Sequence, residues 1–423
     1  MIIKEVSIPG TNHDDRFKPQ YDLGHVRLVN KRFADATSPL LFSTIPLWIG
    51  LKSVQKLIAI SKHPLLSKYV HTIQFSTLQF TGTPSEHLGS TENLFTYSYS
   101  NDYLFKDLQA CSTNLKYAAE QAALHTGEFA KSALTKALEQ FDSLRVFSIV
   151  LQSPWIGAKE VNQAFSEFHT ADITFNDEKP LIVALKALDE SGRKLTSLQV
   201  RETDVVNHGG DQISTCPQSH FLLVRPWGAP YASVLAGTLE RTMPSLRNWS
   251  SLKHLELFLP GLQQVEEDEW DTTSYVKMRH HVRILLEGLV NLQKLDLSCN
   301  ESCQDDDVGP DSVTAYISST LMPKLLSLRL ETMEFDNVDE MVDFFKFRYQ
   351  QLRDVSLVSV CINEQRIVPI SDFLERMERV VWKALKEFLI IWTHKGSRVD
   401  IAPFLRCEPG EKATSPLYQT PLG

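Results

Sequence analysis

The stretch Leu292-Gln293-Lys294-Leu295-Asp296-Leu297-Ser298-Cys299-Asn300 decides how the chain is read. It has the spacing L-x-x-L-x-L-x-x-N. In an extended backbone Leu295 and Leu297 point to one face and Asp296 to the other. Leu292 enters the same core from the preceding turn, and Asn300 suits the bend out of the strand because its side chain bonds nearby backbone groups. The spacing recurs. Val70-x-x-Ile73-x-Phe75, Leu144-x-x-Phe147-x-Ile149, Leu195-x-x-Leu198-x-Val200 and Leu252-x-x-Leu255-x-Leu257 precede this copy. Leu325-x-x-Leu328-x-Leu330, Leu352-x-x-Val355-x-Leu357 and Leu385-x-x-Phe388-x-Ile390 come after it. The start-to-start intervals are 74, 51, 57, 40, 33, 27 and 33 residues, so the early units carry long insertions.

A helical pattern precedes most of these strands. Ala133, Leu134, Ala137, Leu138 and Phe141 share a face before Leu144, as do Leu181, Leu185 and Leu188 before Leu195. Val234, Leu235, Leu239 and Met243 precede Leu252; Val282, Leu285, Leu286 and Leu289 precede Leu292; and Val313, Ile317 and Leu321 precede Leu325. Met341, Phe344, Phe345 and Arg348 lead to Leu352, and Phe373, Met377, Val380 and Val381 to Leu385. Helix alternating with short apolar strand implies an α/β fold with parallel strands inside and helices outside. The nonapeptide and its copies are similar to leucine-rich repeats, which makes the expected architecture an irregular leucine-rich-repeat horseshoe over 66–405. Leu389 and Ile391 are apolar where a last strand would face outward, so Val399–Leu405 is expected to fold back as a cap. Residues 406–423, rich in proline, read as a flexible tail.

A chain of 423 residues with 43% hydrophobic and 22% charged residues has the composition of a globular protein with a large core. The net charge of −9 is uneven, with ten Lys/Arg against five Asp/Glu in residues 1–70 and −14 on the rest. That acidic majority argues against wrapping nucleic acid. The six cysteines are scattered, and no secretion signal or membrane span is legible. A cytoplasmic or nuclear protein with reduced thiols is expected.

Residues 1–20 read as irregular. Leu23, Val26, Val29, Phe33 and Ala36 recur at helical spacing, with Arg27, Asn30, Lys31 and Arg32 between them, which predicts an amphipathic helix. Ser38-Pro39 predicts a restart, serine at the N-cap and proline at the first helical position, leading into a short helix through Leu40, Leu41 and Phe42. Leu51–Ser61 predicts a third helix, and 21–65 a separate helical module. Asp22–Phe33, followed by Ser38-Pro39-Leu40-Leu41-Phe42 and Ile45, resembles the second half of an F-box. Leu47-Trp48-Ile49 through Lys62-His63-Pro64, then Tyr69–Ile73, looks like the fungal F-box proteins that carry degenerate leucine-rich repeats. The usual opening Leu-Pro-x-Glu helix has no counterpart in Val6–Asp15. The resemblance implies a non-enzymatic substrate-recognition subunit of a cullin–RING ubiquitin ligase. Leu28, Val29, Phe33, Pro39, Leu40, Leu41 and Phe42 would meet the Skp-type adaptor, and the repeats would hold a protein substrate. The competing expectation is a stand-alone repeat scaffold whose N-terminal helices only cap the array.

No phosphate-cradling glycine loop, nucleophile elbow, H-E-x-x-H or paired C-x-x-C is present, so no catalytic residue, cofactor or metal is expected. Cys299 and Cys303 near Asp305–Asp307 lack a second Cys/His pair, and the adjacent His280 and His281 point about 100° apart on a helix. The positions between core leucines predict a mixed docking face. Its middle row is Ser148, Gln199, Glu256, Asp296, Arg329 and Ser356, and its outer row is Val150, Arg201, Phe258, Ser298, Glu331 and Val358. Gln199, Arg201, Glu256, Phe258, Asp296, Arg329 and Glu331 are the expected partner contacts. Glu267, Asp268, Asp306, Asp307 and Asp336, in the turns after three strands, predict an acidic rim for a basic protein partner.

Overall fold

The computed structural model describes residues 30–77, 112–113, 115–124, 128–151, 178–202, 249–259, 272–299, 312–317, 322–348, 350–362, 370–377, 380–392 and 397–407. They fall into two compact units, one running to Leu195 and the other holding Thr196–Arg201 and the described residues from 249 onward. The first unit holds residues on both sides of the expected boundary near 65.

In the first unit the order is α1 (Lys31–Leu41), β1 (Thr44–Leu47), α2 (Leu51–Lys62), α3 (Leu66–Tyr69), β2 (Thr72–Ser76), α4 (Phe129–Gln140), β3 (Val146–Leu151) and α5 (Glu178–Glu190). β1, β2 and β3 are parallel neighbours. Ile45, Ile73 and Phe147 form one register row, and Leu47, Phe75 and Ile149 the other. All six side chains are buried. β1 corrects the all-helical reading of 21–65: the region adds a strand to the sheet. Pro46 is compatible with its edge position, since an edge strand leaves one set of ladder groups unused.

α1 is a second correction. Ser38-Pro39 does not start a helix; both residues lie inside one helix capped at Asn30, whose Oδ1 accepts from Phe33 N at 3.1 Å. The Ser38 hydroxyl donates to Ala34 O at 2.6 Å, one turn back, instead of capping a new helix. Pro39 is tolerated near the helix end, where its missing N–H forgoes a single bond. α4 packs against both α2 and α5. Arg193 finishes α4: its guanidinium donates to Leu138 O at 2.9 Å, to Glu139 O and to the Asp142 carboxylate at 3.0 Å. A cation on the last carbonyls of a helix satisfies groups that have no partner in the helix.

The second unit contains β4 (Ser197–Glu202), β5 (His254–Leu259), α6 (Thr272–Gly288), β6 (Lys294–Cys299), α7 (Val313–Tyr316), β7 (Ser327–Glu331), β8 (Glu334–Phe335), α8 (Val338–Lys346), β9 (Asp354–Val358), β10 (Cys361–Ile362), α9 (Ile370–Arg376), β11 (Glu387–Trp392), β12 (Ser397–Asp400) and α10 (Ala402–Arg406). The order β4-β5-β6-β7-β9-β11 is parallel throughout, β12 closes antiparallel on β11, and β8 and β10 form a small parallel pair. The fold is therefore α/β with a mostly parallel sheet. Leu255, Leu295, Leu328, Val355 and Phe388 stand in one register row, and Leu257, Leu297, Leu330, Leu357 and Ile390 in the next. Every one of them is buried.

The entries of β5, β6, β7, β9 and β11 repeat one backbone device. A single carbonyl of the preceding unit accepts two successive N–H groups: Thr196 O from Lys253 and His254, Lys253 O from Gln293 and Lys294, and Gln293 O from Leu326 and Ser327. Leu326 O and Arg353 O do the same for the next two strands. The device fixes register locally, so unequal insertions between strands do not disturb the leucine rows. The expected cap is present. β12 and α10 cover the end of the sheet, with Trp382 N donating to Leu405 O at 2.9 Å and the Asp400 carboxylate accepting from Phe388 N and Ala402 N.

Candidate functional site

The face of the second-unit sheet opposite the leucine rows carries the polar residues. Ser197, His254 and Lys294 share a register row, and Gln199, Glu256, Asp296, Arg329 and Ser356 share the next. From Gln199 to Ser356 the middle row read from the sequence stands in register, whereas Ser148 belongs to the first unit and is buried. The outer row, Phe258, Ser298, Glu331 and Val358, is also in register. It is not open along its length, because Phe258 is only 5% exposed and Val358 is buried as well. Phe258 is therefore core material and not a partner contact. Arg329 and Glu331 face solvent as an ion pair at 2.8 Å. The side chain of Arg201 lies outside the described residues.

Of the acidic rim, Glu267, Asp268, Asp306 and Asp307 lie outside the described residues, and Asp336 is exposed. Around Asp336 the acids have local work. Asn337 Oδ1 accepts from Glu340 N at 2.8 Å, Glu340 Oε2 accepts from Asp336 N at 2.7 Å, and Asp339 pairs with Arg376. That is helix capping at the start of α8.

The most structured polar group on the face centres on His254, a residue outside the row expected from the sequence. Its Nε2 meets Asp296 Oδ2 at 3.1 Å and its Nδ1 meets Ser197 Oγ at 3.1 Å. A carboxylate has no proton to give, so Nε2–H donates; in the neutral ring Nδ1 then accepts from the Ser197 hydroxyl. The Lys294 ammonium donates to the same Asp296 Oδ2 at 2.7 Å. Asp296 Oδ1, in contrast, is buried and has no hydrogen-bond partner. Glu256 flanks the pair, and one ligand atom each from His254, Glu256 and Asp296 lie within 4.8 Å of one another. Burial pushes the Asp296 carboxyl up, but hydrogen bonds from His254 and Lys294, with their charges, outweigh it and hold the group below the ordinary carboxylate range.

A carboxylate whose pKa is lowered by folding contributes stability that is complete above its unfolded value, ~3.9, and is lost as pH falls through the folded value. Asp296→Asn should therefore be less stable than wild type near pH 6, with the gap narrowing as the pH drops below about 4. Urea unfolding at a series of pH values measures this. A gap constant from about pH 6 to about pH 2.5 would show that the ion pairing of Asp296 contributes nothing.

The line Ser197–His254–Asp296 contains the residue types of a hydrolytic triad but not its disposition. Ser197 is buried within the sheet face, and the neighbouring N–H groups of Lys253 and His254 are committed to Thr196 O. The three side chains bridge three strands. In the first unit, a cleft lined by Glu139, Arg145, Ser191 and Arg193 is similarly occupied by structural work, because Arg193 is spent on the end of α4.

On the N-terminal helix, Leu28 and Val29 lie outside the described residues. Phe33 and Leu40 are 41% and 40% exposed, while Pro39, Leu41 and Phe42 are half-buried. Among the described residues, no helix is long and apolar enough to cross a membrane. No family model matches the chain, and no curated protein matches it.

Proposed function

We propose that this chain is a non-enzymatic substrate-recognition adaptor of a cullin–RING ubiquitin ligase, with degenerate leucine-rich repeats of the horseshoe class holding the substrate. The observation that carries the reading is the outer face of α1. Phe33, Ala36 and Leu40 recur at positions i, i+3 and i+7 and all face solvent. An apolar stripe of this kind is suited to being covered by a partner helix. Leu41 and Phe42, half-buried at the end of α1, anchor the stripe to the first unit. The mixed row Gln199, Glu256, Asp296 and Arg329 supplies the substrate face, and the chain contributes proximity while other subunits transfer ubiquitin.

The test is a pull-down of the full chain with a Skp-type adaptor. Phe33→Ala with Leu40→Ala should weaken binding by at least about tenfold, the equivalent of ~1.4 kcal/mol, and lower the melting midpoint by only a few degrees, because neither side chain is core. Adaptor binding that ignores the double substitution would remove α1 from the interface. No binding by the wild-type chain would favour the second reading, a stand-alone repeat scaffold. One observation supports that alternative: β1 pairs with β2 from Thr44 to Leu47, so the N-terminal helices are built into the sheet and suited to capping it.

A further inference from the structure

We propose that His254, Glu256 and Asp296 form a binding site for one divalent transition-metal ion of the zinc type. The inference is independent of the adaptor reading. It begins with placement. His254 and Glu256 are two apart on β5, so the pleat sends both to the face opposite the leucines, and the register sets Asp296 of β6 directly beside Glu256. One imidazole nitrogen and two carboxylates make a donor set of the kind zinc and its neighbours take, with three protein ligands and a fourth position left for water or a partner's ligand.

The distances fit this chemistry. Bonds of ~2.0–2.2 Å in a tetrahedral site put ligand atoms about 3.3 Å apart. His254 Nε2 and Asp296 Oδ2 are already 3.1 Å apart, and the third ligand atom lies within 4.8 Å of both. Binding draws the Glu256 carboxylate inward to close the set. The backbone is held by the parallel ladder from His254–Lys294 to Leu259–Cys299, so the scaffold is rigid where the ligands start.

Two further observations point to an ion. Asp296 Oδ1 is a buried carboxylate oxygen with no hydrogen-bond partner, on a side chain that is only 13% exposed. Leaving such an acceptor unsatisfied is costly, and a cation chelated by both oxygens of the Asp296 carboxylate gives Oδ1 the partner it lacks. Ser197 supplies the outer support that metal-bound histidines use. With Nε2 on a metal, Nδ1 carries the proton and donates to Ser197 Oγ, already 3.1 Å away. The hydroxyl rotates from donor to acceptor without moving its oxygen. Lys294, whose side chain is 46% exposed, is the group that must leave Asp296 Oδ2, and solvent is available to receive it. Arg329, next to Asp296 in the register, forms an ion pair with Glu331.

The experiment titrates the full, metal-stripped chain with Zn²⁺ by calorimetry and with Co²⁺ by visible absorption, which reports tetrahedral coordination. The expected result is one high-affinity ion per chain. Glu256→Gln should weaken it at least tenfold without lowering the metal-free melting temperature, because glutamine has the shape of glutamate and the position is only half-buried. His254→Ala and Asp296→Asn should weaken it further. Ser197→Ala, which removes only the outer support, should cost about 10–100-fold in affinity. His280→Ala with His281→Ala should change nothing. Absence of zinc binding by the folded wild type would overturn the proposal, as would undiminished affinity in Glu256→Gln or His254→Ala.

Discussion

Phe345→Ala is expected to destabilise the second unit by about 3–5 kcal/mol, the range for deleting a fully buried phenyl ring. Phe345, on the inner side of α8, is 0% exposed and lies at the centre of a cluster of rings. Its centroid is 5.1 Å from Phe344, 5.2 Å from Phe388, 6.0 Å from Phe373 and 6.1 Å from Trp382, with Phe335 at 6.3 Å. The partners come from α8, α9, β8, β11 and the turn before β11, so the ring ties the helical layer to the sheet. Most approaches are tilted or edge-on, the arrangements that add roughly 0.5–1.5 kcal/mol per pair beyond area burial. The cavity cannot collapse easily, because Trp382 is itself fixed by Nε1 donating to Leu352 O at 3.0 Å. At roughly 2–4 °C per kcal/mol for a body of this size, the thermal midpoint should fall by about 10 °C. Phe33→Ala is the internal comparison: the same deletion at a 41%-exposed ring should cost under about 1 kcal/mol. Equal effects would mean the two rings have been assigned to the wrong environments.

What made the fold legible was period-two burial. The eight strand positions carry it together, since most copies diverge too far from Leu292–Asn300 to be read singly, and Phe344, Phe345 and Phe373 fall on the helical faces expected before Leu352 and Leu385. The misreadings occur where a local signal has two physical meanings. Ser38-Pro39 is a strong helix-start dipeptide, yet tertiary packing buries Thr37 and Ser38 and runs the helix through them. β1 is invisible to periodicity because four residues containing a proline fall below any template, and its strand state comes from pairing with β2, 28 residues on in the register. Gly50 carries no signal either. Its absent side chain matters because Trp48 folds back against it: a Cβ there would lie 2.3 Å from the indole.

The site was less legible for a different reason. Short-range ligand motifs work when one helix or loop supplies the donors. Here they come from two strands separated by an insertion-bearing repeat, and only the register joins Glu256 to Asp296. His254 is within reach of the same period-two logic that places Glu256 on the polar face, since the two are i and i+2. A row drawn through the middle position of each strand leaves it out, because its chemistry sits one pleat earlier. Phe258 is misassigned by the same logic used without burial: alternation gives the face, but not what covers that face.

Neighbouring residues of the opening stretch should therefore respond in opposite ways. Leu295→Ala is expected to cost about 2–5 kcal/mol, because Leu295 is fully buried between Leu255 and Leu328 in the central leucine row. Ser298→Ala, three residues on and on the other face, should change stability by no more than about 0.5 kcal/mol. A shift of β6 by one residue would exchange these outcomes, since every side chain would move to the opposite face. The register is held by Lys253 O, which accepts from both Gln293 N and Lys294 N at 2.8 Å before the strand begins. Urea unfolding of the two variants reads the difference as a change in midpoint at constant slope. A large loss in Ser298→Ala with little in Leu295→Ala would place the core on the polar face, and the row of Gln199, Glu256, Asp296 and Arg329 would no longer be a surface on which a partner or an ion could be held.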